Sequence, residues 1–304
     1  MSISVSNVTK FYGAQKALDS VSFDISKGEI AGFIGPNGAG KSTMMKIITG
    51  FIAANSGDVT VCGLSAGPDA IEMRRLIGYL PENNPLYPEM YVREYLRYVA
   101  DIYKMGHKTN ASVKAVIEKT GLEPEQNKKI GALSKGYRQR VGLAQALIHD
   151  PTVLILDEAT TGLDPNQIIE IRNLISDVGS EKTVMLSTHI MQEVEAICSR
   201  VIIIDHGQIV ANGSREEISA LTGQKREAVK VEFSAHVEKE RLVKIPGVVS
   251  ATEGAANSYT LYSSTGEDIR PAVFRFAVEE GLTVIGLHRV EESLEDTFRQ
   301  LTGK

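Results

Sequence analysis

Two cysteines in 304 residues, Cys62 and Cys198, are too few and too far apart for a disulfide framework, and they form neither a CxxC pair nor a Cys/His ligand spacing. Both are expected as reduced thiols inside the fold. Positive charge is not in excess either: 33 Lys and Arg stand against 38 Asp and Glu, a net charge of −5, the wrong sign for a general binder of a phosphate backbone. Nucleic acid is therefore not the expected partner. Long apolar runs are missing; the stretches at 153–156 and 201–204 fall far short of the roughly 18 residues a membrane helix needs. The first residues, MSISVSNVTKFYG, lack the basic end and apolar core of a secretion signal, so a cytoplasmic location is expected, with any membrane role borrowed from a partner. Repeats and low-complexity tracts are also lacking. What remains is 42% apolar and 23% charged residues, a globular composition long enough for one large domain or two.

The pattern along the chain changes three times. In the first 30 residues Ile3, Val5 and Val8, then Leu18, Val21, Phe23 and Ile25, alternate and are closed by Gly13 and Gly28, which predicts antiparallel strands. Short continuous apolar runs follow at 30–34, 153–156, 184–186 and 201–204, as expected of strands covered on both faces in a largely parallel sheet. After Ile204, DHGQIVANG reads as a turn at Gly207 and a last hairpin strand, and this unit is expected to end near Leu221. Between 83 and 150 the strand pattern gives way to helical spacing at Val92, Tyr95, Leu96, Val99, Ile102 and Tyr103, and again at Val113, Val116 and Ile117. So long a stretch exceeds a simple crossover and predicts a helical insertion. From 224 to 304 the order βαββαβ predicts a small ferredoxin-like α+β domain with one further helix, whose near-balanced charge does not suit a nucleic-acid arm.

Three segments carry chemistry. GPNGAGKST, residues 35–43, follows the apolar run IAGFI and opens a helix, the strand, glycine loop and helix that a polyphosphate cradle requires. Gly35, Gly38 and Gly40 let backbone N–H groups of the loop, which also holds Pro36, Asn37 and Ala39, turn inward on a polyphosphate, the helix start adds its dipole, and Lys41 reaches the terminal phosphates. The Ser42 hydroxyl is placed for magnesium, with Thr43 as a further phosphate contact. VLILDE at 153–158 is an apolar strand ending in Asp157, a magnesium ligand through water, and Glu158, a base for the water that attacks the γ-phosphate. Ser187 and His189 close a third strand, and ligand groups in an open parallel sheet gather beyond such ends. His189 is expected to polarise the same phosphate.

With these segments in view, residues 1–220 resemble the ATP-binding subunits of ABC transporters. The fourth segment, LSKGYRQR at 133–140, is similar to that family's signature sequence, which implies that Ser134 and Gly136 grip a γ-phosphate bound by the opposite subunit. GLDP at 162–165 looks like the D-loop and puts Asp164 at a dimer seam, while Tyr12 in KFYG matches the aromatic that stacks on adenine. The resemblance implies an α/β fold, a P-loop NTPase of ABC type with a mixed sheet core, an antiparallel β subdomain and a helical insertion. It also implies ATP and Mg2+ as cofactors, a second ATP-binding subunit, most simply a homodimer, and separate transmembrane permease subunits touched through NNPLYPEMY at 83–91, with Tyr87, Pro88 and Met90 as candidate contacts. The location implied is the inner face of the cell membrane, held through the permease.

Four positions, in three segments, depart from the family pattern. Glu82 follows IGYLP where glutamine is usual, which puts a third carboxylate at the magnesium position; Lys135 and Tyr137 interrupt the usual signature; Ala159 replaces a proline after the DE pair. The one-domain architecture and the ending SLEDTFRQLTGK look most like ABC-2 type exporters, and IGYLPENNPLYPEMYVREYL is most similar to gliding-motility-associated subunits. A soluble ABC ATPase acting on ribosomes or nucleic acid is the alternative, disfavoured by the single cassette and the net negative charge. A P-loop kinase leaves LSKGY and GLDP unexplained.

Overall fold

The computed structural model describes residues 1–67, 70–221, 228–254, 257–263, 268–290 and 294–302. The chain divides into two compact units, Met1–Arg215 and Glu216–Lys304. Among the described residues no helix is long and apolar enough to cross a membrane.

The first unit opens with β1 (Ile3–Tyr12) and β2 (Gln15–Ile25), an antiparallel pair whose bulges bend the ribbon. The alternating residues Ile3, Val5, Val8, Leu18, Val21, Phe23 and Ile25 all point inward and are buried. Next comes β3 (Ile30–Ile34), then the glycine loop and α1 (Lys41–Ile48). Two short strands, β4 (Ser56–Val61) and β5 (Leu64–Ser65), complete an antiparallel sheet of order β2-β1-β4-β5. Sequence pattern did not reveal these two, because SGDVTV has only two apolar positions and a glycine, and LS is too short to alternate. Helix α1 is apolar over most of its surface, since Met44, Met45, Ile47 and Ile48 are all buried in the core shared with Val5, Val21, Val153 and Ile155.

After α2 (Ile71–Arg75), β6 (Ile77–Leu80) was also missed: four residues containing Gly78 give too short a signal. That glycine is required, because a Cβ there would lie 2.2 Å from the carbonyl oxygen of Ala146. Residues 83–150 hold α3 (Val92–Ile102), α4 (Thr109–Lys119) and α5 (Lys135–Leu147), the expected helical insertion. The chain then returns through β7 (Val153–Asp157), α6 (Pro165–Gly179), β8 (Thr183–Thr188), α7 (Met191–Ile197), β9 (Arg200–Asp205) and β10 (Gln208–Ser214). The six-stranded sheet has the order β10-β9-β3-β8-β7-β6, parallel except for the β9–β10 hairpin. His206 and Gly207, with φ of 46° and 78°, make the two-residue turn of that hairpin.

Helix α8 (Arg215–Leu221) spans the division between the units. The second unit contains β11 (Ala228–Phe233), α9 (Lys239–Leu242), β12 (Val248–Glu253), β13 (Ser258–Ser263), α10 (Arg270–Glu279), β14 (Val284–Val290) and α11 (Leu294–Thr302). The antiparallel order β12-β13-β11-β14 is the ferredoxin-like arrangement. Helix α9 is one turn. The last strand starts at Val284, after Leu282 N–H has closed α10 by donating to the Ala277 carbonyl at 2.8 Å behind Gly281 in the left-handed conformation.

One buried histidine gives the first unit an acid limit. His149 stacks on Tyr103 with ring centroids 3.8 Å apart, and its Nε2 lies 3.0 Å from the Ile77 carbonyl oxygen. Burial pushes its imidazole down to about 4 from the usual 6.5. A base whose folded value is depressed contributes stability that is complete above about 6.5 and is lost as pH falls toward 4. Melting temperature should therefore drop across that interval, and His149→Gln, which keeps a donor for Ile77, should flatten the drop; an identical pH profile in the variant would contradict this.

Candidate nucleotide site

Register brings the strand ends level. In the sheet Ile34 lies beside Thr188 and Asp157 beside Ser187, so the residues that follow, Gly35, Glu158 and His189, leave the sheet at one edge. Gly35 is obligatory here because a Cβ would fall 2.2 Å from the Ile204 carbonyl oxygen. At Gly40, φ is 111° and a Cβ would meet the Ala17 carbonyl oxygen at 2.7 Å, so the loop is both left-handed and crowded against β2. Lys41 folds back across the loop, its Nζ donating to the Gly35 carbonyl at 2.7 Å and the Pro36 carbonyl at 3.2 Å. Only 7% exposed, its ammonium is pushed down by burial and supported in the charged form by Glu158, Asp157 and Glu82.

Asp157 is 2% exposed and its Oδ1 has no hydrogen-bond partner, as is also true of the Ser187 Oγ beside it. Burial raises its carboxyl above the usual value, the neighbouring Ser42 and Ser187 hydroxyls pull it back, and Glu82 and Glu158 push it up again. An unsatisfied buried carboxylate oxygen next to a serine hydroxyl is a poor way to end a strand unless something binds there. Hard oxygen donors of this kind suit magnesium. Among the described residues no cluster of three or more His, Cys, Asp or Glu side chains would hold a metal alone.

Glu158 has a left-handed backbone, φ 53°, pinned by its N–H donating to the Ser187 carbonyl at 3.0 Å. Its Oε2 accepts from Thr161 Oγ1 at 2.8 Å and lies 2.8 Å from His189 Nδ1. Thr161 was not singled out in the sequence, although its place three residues after Glu158 was readable. A cavity of about 520 Å3 joins these groups, lined by Tyr12, Asn37, Gly38, Gly40, Lys41, Ser42, Thr43, Glu82, Glu158, Thr161 and His189. Tyr12 is half exposed at its rim with Lys10 Nζ 5.7 Å from the ring centroid, so one ring face is partnered.

The remaining candidates lie elsewhere. Ser134 caps α5, its Oγ accepting from the Tyr137 N–H at 3.3 Å, and Asp164 caps α6, its Oδ1 accepting from the Gln167 N–H at 2.9 Å. Gly136 and Asp164 line a separate cavity of about 350 Å3, where Gln167 packs so closely that a Cβ on Gly136 would lie 2.6 Å from it. Lys135 reaches from the head of α5 to Gly162, whose hypothetical Cβ would fall 2.1 Å from its Nζ. A larger cavity of about 720 Å3 runs from Ser42, Glu82 and Asp157 past Asn83 and Pro85 to Val99, Tyr103 and Gln145 of the helical insertion. Tyr87 meets Tyr95 edge-on and Tyr98 at a tilt, with ring centroids 5.8 Å apart in each pair.

Comparison with known proteins agrees with this geometry. Residues 18–161 match the family described as ABC transporter. The chain is 34% identical to the bacitracin transport ATP-binding protein BcrA of Bacillus licheniformis over 99% of its length and 97% of that protein. It is 35% identical to the Nod factor export ATP-binding protein I of Rhizobium etli over 99% of its length and 93% of that protein. Among solved structures it is similar to an ATP-binding subunit of an ABC transporter (TM-score 0.67, 29% identity, 73% of this chain and 94% of that one). It is similar as well to a dimeric post-hydrolysis cassette bound to ADP and Pi (TM-score 0.65, 26% identity, 70% of this chain and 98% of that one). An α/β P-loop fold with an antiparallel subdomain, a buried lysine cradle and relatives matched along their whole length leave one assignment: the chain belongs to the ATP-binding subunits of ABC transporters, and it is an ATPase.

Proposed function

We propose that this chain binds ATP with Mg2+ in the 520 Å3 cavity, pairs head to tail with a second copy of itself, and powers a separate ABC-2 type permease in export from the cytoplasmic side of the membrane. The observation that carries this reading is the split of the site. Lys41, Ser42, Glu158 and His189 share one cavity, whereas Gly136 and Asp164 line another, so a single chain offers half of a phosphate enclosure at each of two places. A rotated second copy would bring its Ser134 and Gly136 to the phosphates held by the first.

Within the cavity, Lys41 and the loop N–H groups of 35–43 neutralise and position the phosphates. Ser42 and Asp157, with Glu82 beside them, would hold the magnesium ion, which when bound offsets charge on the β- and γ-phosphate oxygens. Glu158 takes the proton of the attacking water, a role worth roughly 10² to 10⁴ in rate. His189 and Thr161 fix the Glu158 carboxylate by hydrogen bonds at 2.8 Å each, and His189 also faces the terminal phosphate. Tyr12 at the cavity rim stacks on the base, and Asp164 meets the partner copy.

The 720 Å3 cavity, bordered by Asn83 and Pro85, is where a permease segment docks, with Tyr87, Pro88 and Met90 of the same segment 83–91 as candidate contacts. Export is supported by the relatives named for bacitracin transport, linearmycin resistance and Nod factor export. The finer resemblance to gliding-motility-associated subunits rests on the single segment 77–96 and names a subclass without naming a cargo. Nucleic acid remains an unsuitable partner for a chain of net charge −5.

Glu158→Gln should retain ATP binding, lower turnover by at least about a hundredfold and accumulate an ATP-bound dimer on size-exclusion chromatography. A monomeric, fully active variant would contradict the assignment. Lys41→Ala removes charge from the phosphates in ground and transition state alike, so nucleotide affinity should fall together with turnover, as isothermal titration would read. Wild-type affinity in that variant would remove Lys41 from the site.

A further inference from the structure

Glu193 is a carboxylate only 2% exposed, outside every cavity lining described above. Its two oxygens accept from two buried threonines, one in the turn after β7 and one at the end of β8: Oε1 from Thr160 Oγ1, and Oε2 from Thr188 Oγ1 at 2.8 Å. Thr160 and Thr188 are themselves 2% and 0% exposed. Thr188 Oγ1 also accepts from the Ile190 N–H at 3.1 Å, so one hydroxyl bonds both the carboxylate and the backbone just beyond His189. These two threonines are chain neighbours of the groups that hold Glu158. Thr161 and His189 meet the Glu158 carboxylate on the cavity side, and Thr160 and Thr188, one residue earlier in each case, meet Glu193 on the far side.

The helix that carries Glu193 is in turn fixed to the strand leading into the phosphate loop. A Cβ on Gly32 of β3 would lie 2.9 Å from Val194 Cγ1 and 3.2 Å from Cys198 Sγ, so α7 rests against that strand with no space between. Two segments are thus tied to one side chain, the loop after β7 through Thr160 and the end of β8 through Thr188, and the helix that bears it packs through Val194 and Cys198 on the middle of β3.

From this geometry we propose that Glu193 is a positioning residue of the ATPase reaction. It sets the spacing between the loops after β7 and β8, and through that spacing it aims Glu158 and His189 at the attacking water. The proposal rests on the assignment of Glu158 as the base. A buried carboxylate with two hydroxyl donors is costly to leave partly unpaired, so loss of either donor moves a loop and not merely a bond. Misplacement of a base by a fraction of an ångström lowers turnover while leaving the phosphate cradle, 35–43, untouched.

The test uses the full chain and steady-state ATPase kinetics in Mg-ATP, with melting temperature and nucleotide affinity measured on each variant. Thr160→Val and Thr188→Val keep the shape and remove the hydroxyl; Thr160→Ser and Thr188→Ser restore it; Glu193→Gln keeps the size and removes one acceptor. The expected result is a fall in kcat of about tenfold in the Val and Gln variants with KM within about twofold, recovery in the Ser variants, and no further loss when Thr160→Val is combined with Glu193→Gln. Equal behaviour of Ser and Val variants, a loss confined to KM or to melting temperature, or full additivity of the double variant would overturn the proposal. Glu158→Gln measured alongside separates the two claims. If it loses turnover while the Val and Gln variants keep theirs, the positioning role fails and the base stands; if it retains turnover, the base assignment itself fails.

Discussion

A primary ammonium buried to 7% exposure is the constraint around which the first unit is arranged. Desolvation works against the charge of Lys41, and the protein answers with two loop carbonyls and three acidic side chains at the same sheet edge. That arrangement leaves the edge over-supplied with negative groups for one cation, and Asp157 is left with an oxygen that nothing in the chain satisfies. Such a site is incomplete in chemistry even where it is complete in shape. The proposed occupants answer both features, phosphate next to the ammonium and a divalent cation next to the carboxylates.

Much of this was legible in the sequence because it depends on local spacing. The glycine loop between an apolar strand and a helix, the acidic pair at a strand end, and the alternation of Ile3, Val5 and Val8 each sit within a dozen residues. The order βαββαβ of the second unit was readable for the same reason, and the hydrogen-bonded order β12-β13-β11-β14 is what that connectivity produces. Three strands escaped notice, β4, β5 and β6, and each is short, edge-placed or interrupted by glycine. Their stability comes from neighbours distant in sequence, such as Thr152 and Val153 N–H groups donating to the Leu76 carbonyl, and no window of sequence contains that information.

Side-chain partnerships were the least legible. Thr161 and His189 are 28 residues apart, yet meet one carboxylate oxygen. Glu193 follows a histidine on what reads as an exposed acidic helix, MQEVEAI, and nothing in that string distinguishes it from Glu195. Only the closing of β7 against β8, which sets Asp157 beside Ser187, goes with full burial of one of the two and partial burial of the other. The strained backbone of Glu158, φ 53°, belongs to the same class of fact: it is enforced by the Ser187 carbonyl on a neighbouring strand.

Ser42 and Glu82 line both the 520 Å3 and the 720 Å3 cavities, and Asp157 borders the larger one. The two rooms therefore share a party wall one residue thick. A partner docked from the insertion side, as proposed, would push on the same carboxylate that lines the nucleotide cavity on the other, with no lever, hinge or relay between them. Coupling across such a partition needs no long-distance message, and replacing glutamine by glutamate at position 82 makes the wall itself charged.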